Sequence, residues 1–320
     1  MKNVVNVTMV LTGTFIGAGF ASGREIWQYF GIFGDFGIFG IALSCLSLSV
    51  FTYCTACNIK DLGEEAYVKQ LCHFKWVNWL LNGYMLLIFG TMITAFGECL
   101  NQTFGFPKFF GVVLMDLVTM VILYFGTEGL VRLSAVITPL IVLGIVFAYL
   151  SNNIREVFSY NNFVTSSVVY TSYNVISLPF VMSGFKAFSN KKQIMCCSLL
   201  FGLLIFGLAF CVFGLLKFSE ITASIPIVTS VSSKFGYVLI FVLAMSMLTT
   251  AVSNGYGFVN GVDFGKKESL VFLGFFALVF SFLSFDFIIK YLYSLFGYIG
   301  FYIVLKNFYI FLKNKEKPRK

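Results

Sequence analysis

The stretch Gly13-Thr14-Phe15-Ile16-Gly17-Ala18-Gly19-Phe20-Ala21-Ser22-Gly23-Arg24-Glu25 lies inside the first apolar segment and decides how the rest of the chain is read. A helix in lipid keeps every backbone N–H and C=O bonded within itself. Four glycines and an adjacent Arg–Glu pair within thirteen residues predict a helix that breaks halfway across. Broken backbone at membrane depth is stable only against protein or a water-filled cavity, and in many secondary transporters such breaks form the substrate and ion sites. The stretch marks a site as well as a span.

The composition around it agrees. The chain is 58% hydrophobic and 11% charged, with a mean hydropathy of +0.89, whereas soluble domains carry roughly 25% charged residues. Aromatics reach 19%, 41 of them Phe, which suits lipid-facing and interfacial surfaces. A net charge of +8 raises nucleic acid as a partner, yet no soluble basic domain exists to hold it. Much of the excess sits in the tail 313–320, read as a cytoplasmic topology anchor. Cys54-x-x-Cys57 has the spacing of a redox or metal motif, but no second pair supports it and the single histidine, His73, stands alone. Free, buried thiols are the expected state, with no cofactor. The first segment lacks a small-residue cleavage site followed by soluble sequence, so it is read as a working span.

A span needs ~20 mostly apolar residues. By that rule there are ten: Asn3–Phe33 (the broken one), Phe36–Asn58, Val77–Gln102, Phe109–Phe125, Gly129–Leu150, Phe163–Phe188, Ile194–Phe218, Tyr237–Gly261, Ser269–Phe285 and Phe287–Leu312. Two longer connections, Lys60–Trp76 and Ser219–Gly236, have the pattern of interfacial helices. Lysines and arginines favour the face that carries the N-terminus, sixteen against the five of Lys108, Arg155, Lys217, Lys234 and Lys290, so both termini are expected in the cytoplasm of a multi-pass cell-membrane protein. Ten spans divide into two fives of opposite orientation, an inverted repeat of about 1–151 and 162–313 within one transmembrane domain. The first helix of the second half, Phe163–Phe188, carries Tyr170-Thr171-Ser172-Tyr173-Asn174-Val175-Ile176-Ser177-Leu178-Pro179 near its centre. Polar residues and a proline that disrupts helical bonding predict a second break there. Two interrupted spans at matching positions point to a binding site between them.

Gly17-Ala18-Gly19-Phe20-Ala21-Ser22-Gly23-x-Glu25 resembles the signature of the YkvI-type membrane protein family, and the likeness covers essentially the whole chain. That family in turn resembles the amino acid–polyamine–organocation superfamily, which implies an all-α, five-plus-five inverted-repeat fold of the bacterial leucine transporter, with helices one and six discontinuous. The resemblance implies a secondary carrier of no particular cargo. Sodium-coupled members of that fold hold Na⁺ with carbonyls at the first break, one carbonyl on helix eight and two adjacent hydroxyls one turn later. Carried over, these are Gly13 and Ile16, then Ser246, then Thr249 and Thr250. Spacings of three and four put Thr249 and Thr250 on the helix face of Ser246. The competing reading is plain packing, since Ser and Thr are common where membrane helices touch. Proton-coupled relatives often use a lysine on helix five, and span five has only Arg132, near its inner end.

Gly17, Ala18 and Gly19 are expected to present N–H groups to a substrate carboxylate, against the alternative of close helix packing. Tyr173 and Asn174 are candidates to complete the pocket. Thr91 and Thr94 face either the site or, more simply, their own helix backbone. Arg24 is a candidate extracellular gate, with Asp286 as its partner. Asp116, mid-span, reads either as a proton carrier or as a neutral acid bonded to a neighbouring helix. The leading expectation is a carrier of a small amino-acid-like or amine solute. A receptor would need an extramembrane domain, an intramembrane enzyme a paired acid or nucleophile and base, and a channel a charged ring or filter motif; none is apparent. Oligomeric state is not fixed by the sequence.

Overall fold

A computed structural model describes residues 2–150, 163–185, 188, 190–216, 233–282 and 293–316. Those residues form helices α1 (Lys2–Phe15), α2 (Ala18–Ala21), α3 (Arg24–Tyr29), a 3₁₀ turn (Gly31–Phe33), α4 (Gly37–Leu62), α5 (Glu64–Leu71), α6 (Lys75–Phe104), α7 (Lys108–Tyr124), α8 (Gly126–Leu150), α9 (Phe163–Asn174), α10 (Leu178–Ser183), α11 (Lys191–Leu216), α12 (Ser233–Gly261), α13 (Lys266–Phe280) and α14 (Ser294–Glu316). Six of them, α4, α6, α8, α11, α12 and α14, are long and apolar enough to cross a membrane. At a rise of 1.5 Å per residue, about 20 residues cover a hydrocarbon core of about 30 Å. Their outward faces carry large apolar side chains such as Leu46, Leu143 and Leu203. Only lipid makes such a continuous apolar surface stable. The protein is a multi-pass membrane protein.

The packing has a paired character. α1 lies against α8 and α11, as α9 lies against α14 and α4. α8 touches α11 as α14 touches α4, while α4 packs on α11 and α6 on α12. α12 is also against α1, which brings the run Ser246–Thr250 beside the first break.

That break falls at Ile16–Gly17. The Ile16 N–H still donates to the Thr12 carbonyl at 3.0 Å, but the Gly17 N–H turns to Phe15 O at 3.0 Å. The next amide, Ala18 N–H, leaves the helix and points at the Met92 sulfur, 3.3 Å away. The carbonyls of Gly13 and Thr14 thereby lose the donors that an unbroken helix would supply. α2 lasts one turn, and Gly23 then adopts φ 79°, a left-handed conformation that glycine takes without strain and that redirects the chain into α3.

The second break spans Val175–Ser177, between α9 and α10. Pro179 lies beyond the interruption, in the first turn of α10. A missing N–H is harmless there, because first-turn amides have no helical partner. The proline therefore starts the second half-helix, where the sequence pattern predicts that it breaks the first.

The connection Lys60–Trp76 contains α5, with Tyr67 and Leu71 buried and Glu64, Glu65 and Lys69 exposed. Tyr67 anchors it by donating to Asn307 Oδ1 at 2.9 Å. Asn58 donates to the same oxygen at 2.9 Å, and the Asn307 amide donates to Thr55 Oγ1 at 3.0 Å. The other expected interfacial segment, Ser219–Gly236, lies mostly outside the described residues.

Candidate functional site

Between the two breaks lies a cavity of about 30 Å³. Space of that size holds roughly two waters. Thr14, Phe15 and Gly17 line it from the first break, and Tyr173, Asn174 and Ser177 from the second. α6 contributes Tyr84, Ile88 and Met92, spaced by four residues and hence on one helix face. α12 contributes Thr250 and Asn254 by the same logic; Glu25 and Tyr293 complete the wall.

Glu25 is the charged group of this lining. It is 4% exposed, and its Oε2 accepts a hydrogen bond of 2.8 Å from the Tyr173 hydroxyl. A Cβ on Gly19 would overlap its carboxylate, so only glycine leaves room for it. No lysine or arginine among the described residues forms an ion pair with it. Tyr173 is itself packed among Tyr293, Tyr29 and Tyr170, with ring centroids 5.1, 5.5 and 5.5 Å away.

Beside the cavity, the Thr250 hydroxyl meets the unwound backbone. Its Oγ1 is 3.1 Å from Gly13 O, 3.4 Å from Thr14 O and 3.0 Å from Ile16 O. One hydroxyl has one proton to give, so three acceptors converge on a single donor. Thr249 sits next to Gly13, its Cβ 3.4 Å from where a Gly13 Cβ would be. Its hydroxyl bonds the carbonyls of Met245 at 3.2 Å and Ser246 at 3.0 Å. Ser134 of α8 reaches the same place, and its buried hydroxyl has no hydrogen-bond partner among the described residues.

The structure therefore gathers Gly13, Ile16, Ser246, Thr249 and Thr250 at one helix crossing, and Gly17, Tyr173 and Asn174 around one cavity. Ala18 and Gly19 are placed differently from expectation. The Ala18 N–H is turned to Met92, and Gly19 backs the Glu25 carboxylate. Arg24 is half-buried, and its expected partner Asp286 lies outside the described residues. Thr91 bonds its own helix at Leu87 O, 2.7 Å away, whereas the buried Thr94 hydroxyl has no partner among the described residues. Asp116 is buried beside Gly274 of α13, and its Oδ1 is likewise unpartnered.

Sequence reasoning missed Glu25, Asn254, Met92, Tyr84 and Tyr293 as lining residues. Asn254 had a usable signal, one helical turn beyond Thr250. Glu25 had another, a carboxylate within an apolar segment, which is a functional candidate by default.

No family profile matches the sequence. The chain is similar to the uncharacterised protein YyaD of Bacillus subtilis (strain 168), 26% identical over 193 residues, which is 55% of this chain and 54% of that protein. The match thus spans about half the length of this curated relative. In three dimensions the chain is similar to Mhp1, a nucleobase-cation-symport-1 family transporter in a closed conformation with bromovinylhydantoin bound. The TM-score is 0.58 at 12% identity, covering 86% of this chain and 70% of that one. It is equally similar to a single-residue mutant of the Eremococcus coleocola manganese transporter, with a TM-score of 0.58 at 10% identity, covering 96% and 76%. The chain has the fold of membrane transporters.

Proposed function

We propose that this protein is a secondary active transporter of the YkvI type, carrying a small polar solute, amino-acid-like or amine, across the cell membrane by alternating access. The observation that carries the reading is the pair of interrupted helices facing one another across a small polar cavity. Breaks of this kind free backbone groups that only a site or a water-filled cavity can use. The matched contacts of α1 and α9 with their neighbours support a five-plus-five inverted repeat of ten spans, about 1–151 and 162–313, and the excess of lysine and arginine on the N-terminal face supports cytoplasmic termini.

Sodium is the coupling ion in this proposal, held by the carbonyls of Gly13, Ile16 and Ser246 and the hydroxyls of Thr249 and Thr250. The surplus of acceptors around the Thr250 Oγ1 supports it, because a hard cation with oxygen ligands satisfies all of them at once. Arg24 and Asp286 are the proposed outer gate. The test is uptake of labelled amino acids and amines into vesicles reconstituted with the protein, with and without an inward sodium gradient. Accumulation that collapses with the gradient is expected; the same uptake in protein-free vesicles, or none for any solute under either a sodium or a proton gradient, overturns the reading.

A further inference from the structure

We infer that the cavity between the two breaks is a seat for the ammonium head of a small organic cation, with Glu25 as its counter-charge and Asn254 as its second acceptor. This rests on the carrier reading above and names the end of the solute that it binds.

Two acceptors at the cavity are short of partners. Asn254 is 2% exposed, and its amide nitrogen donates to the Thr250 carbonyl at 2.9 Å. That bond fixes the amide orientation, since the carbonyl can only accept. The atom left over is Asn254 Oδ1, buried and without a partner among the described residues. Glu25 adds a carboxylate whose bonding partner there is a single hydroxyl, that of Tyr173. Two strong acceptors thus border one small space, and among the described residues neither meets a cationic donor. An ammonium group supplies up to three N–H donors and the compensating charge.

The walls select among cations. Tyr84, Tyr173 and Tyr293 present rings, while Ile88 and Met92 present apolar or weakly polar surface. A ring face attracts an alkylammonium, and a thioether is a soft, weak acceptor. A volume of about 30 Å³ admits a head of one or two heavy atoms.

An anionic head is disfavoured by the same geometry. α2 is a single turn of four residues, its leading N–H is spent on Met92, and the space beside Gly19 is filled by Glu25. A solute carboxylate placed there would face the protein's own carboxylate in a low-dielectric pocket.

The experiment titrates the full chain in lipid nanodiscs with methylammonium, acetate, acetamide, Na⁺ and K⁺ at constant ionic strength, following thermal stability and heat of binding. Methylammonium is expected to bind and to raise the melting temperature with concentration, while acetate and acetamide leave it unchanged. Glu25→Gln should weaken methylammonium binding by at least about tenfold, the size of a hydrogen bond to a charged partner. Should that variant fail to fold, Asn254→Asp and Asn254→Leu carry the test, the first tightening methylammonium binding and the second weakening it. Binding of acetate or acetamide as strong as that of methylammonium overturns the inference. So does methylammonium binding indifferent to Glu25→Gln, or a Glu25-dependent response to Na⁺ that equals the response to methylammonium. The two readings fail separately. Methylammonium binding without gradient-driven uptake counts against the carrier alone, and gradient-driven uptake of a neutral solute unaffected by Glu25→Gln counts against the ammonium seat alone.

Discussion

Replacing Thr250 by valine keeps the shape of the side chain and removes the one hydroxyl that serves the unwound backbone. In the wild type that hydroxyl lies 3.0–3.4 Å from three carbonyls, two of which have lost their helical donors because Gly17 N–H and Ala18 N–H point elsewhere. Thr250 is 4% exposed, so water does not readily replace the lost donor. Leaving a buried acceptor unmatched costs about 1–3 kcal/mol, and with no cavity opened the whole effect should fall in that range. The second consequence concerns the ion. A ligand in hundredfold excess over its Kd stabilises by about 2.7 kcal/mol, and the variant should lose that increment. The assay is thermal denaturation in detergent or nanodiscs, in sodium and in N-methylglucamine. Wild type should be stabilised by sodium. Thr250→Val should melt lower in both media, with the two curves coincident. A sodium shift equal to that of wild type would remove Thr250 from the ion site, and an unchanged melting point without sodium would refute the hydrogen-bond account.

Three further outcomes follow from particular contacts. Asn307→Leu should cost on the order of 3 kcal/mol in thermal stability, because Asn58, Tyr67 and Thr55 all lose their shared partner; an unchanged melting curve would show the network to be dispensable. Gly19→Ala should displace the Glu25 carboxylate, so intrinsic fluorescence from the surrounding tyrosines and solute uptake should both change, while a variant identical to wild type in both would contradict the close approach. Asp116→Asn should be neutral or stabilising by up to about 1 kcal/mol, since it removes a buried acid whose Oδ1 is unpartnered among the described residues; strong destabilisation would reveal a bonded partner.

Much of this architecture is readable from local pattern. Glycines at 13, 17 and 19 place the first interruption to within a residue or two, and the polar run from Tyr170 to Ser177 places the second. Helical spacing alone puts Thr249 and Thr250 on the face of Ser246 that meets α1. What the pattern does not supply is where the chain goes after a turn. Arg24 and Glu25 read as the outer half of the broken first span, but α2 ends after four residues and the left-handed Gly23 swings α3 so that Glu25 points back to the cavity. Asn58 and Asn307 are 249 residues apart, and neither carries any local sign of the other. Met92 is invisible for a different reason: a methionine in an apolar helix reads as filler until a neighbouring backbone amide is found aimed at its sulfur.

That amide has a mechanical meaning. Sulfur in a thioether is among the feeblest acceptors a buried N–H can find, so the link between the start of α2 and α6 is easily given up. A segment fastened there by an ordinary carbonyl would resist displacement more firmly. The chain has tied its most irregular stretch with a knot that slips under light load.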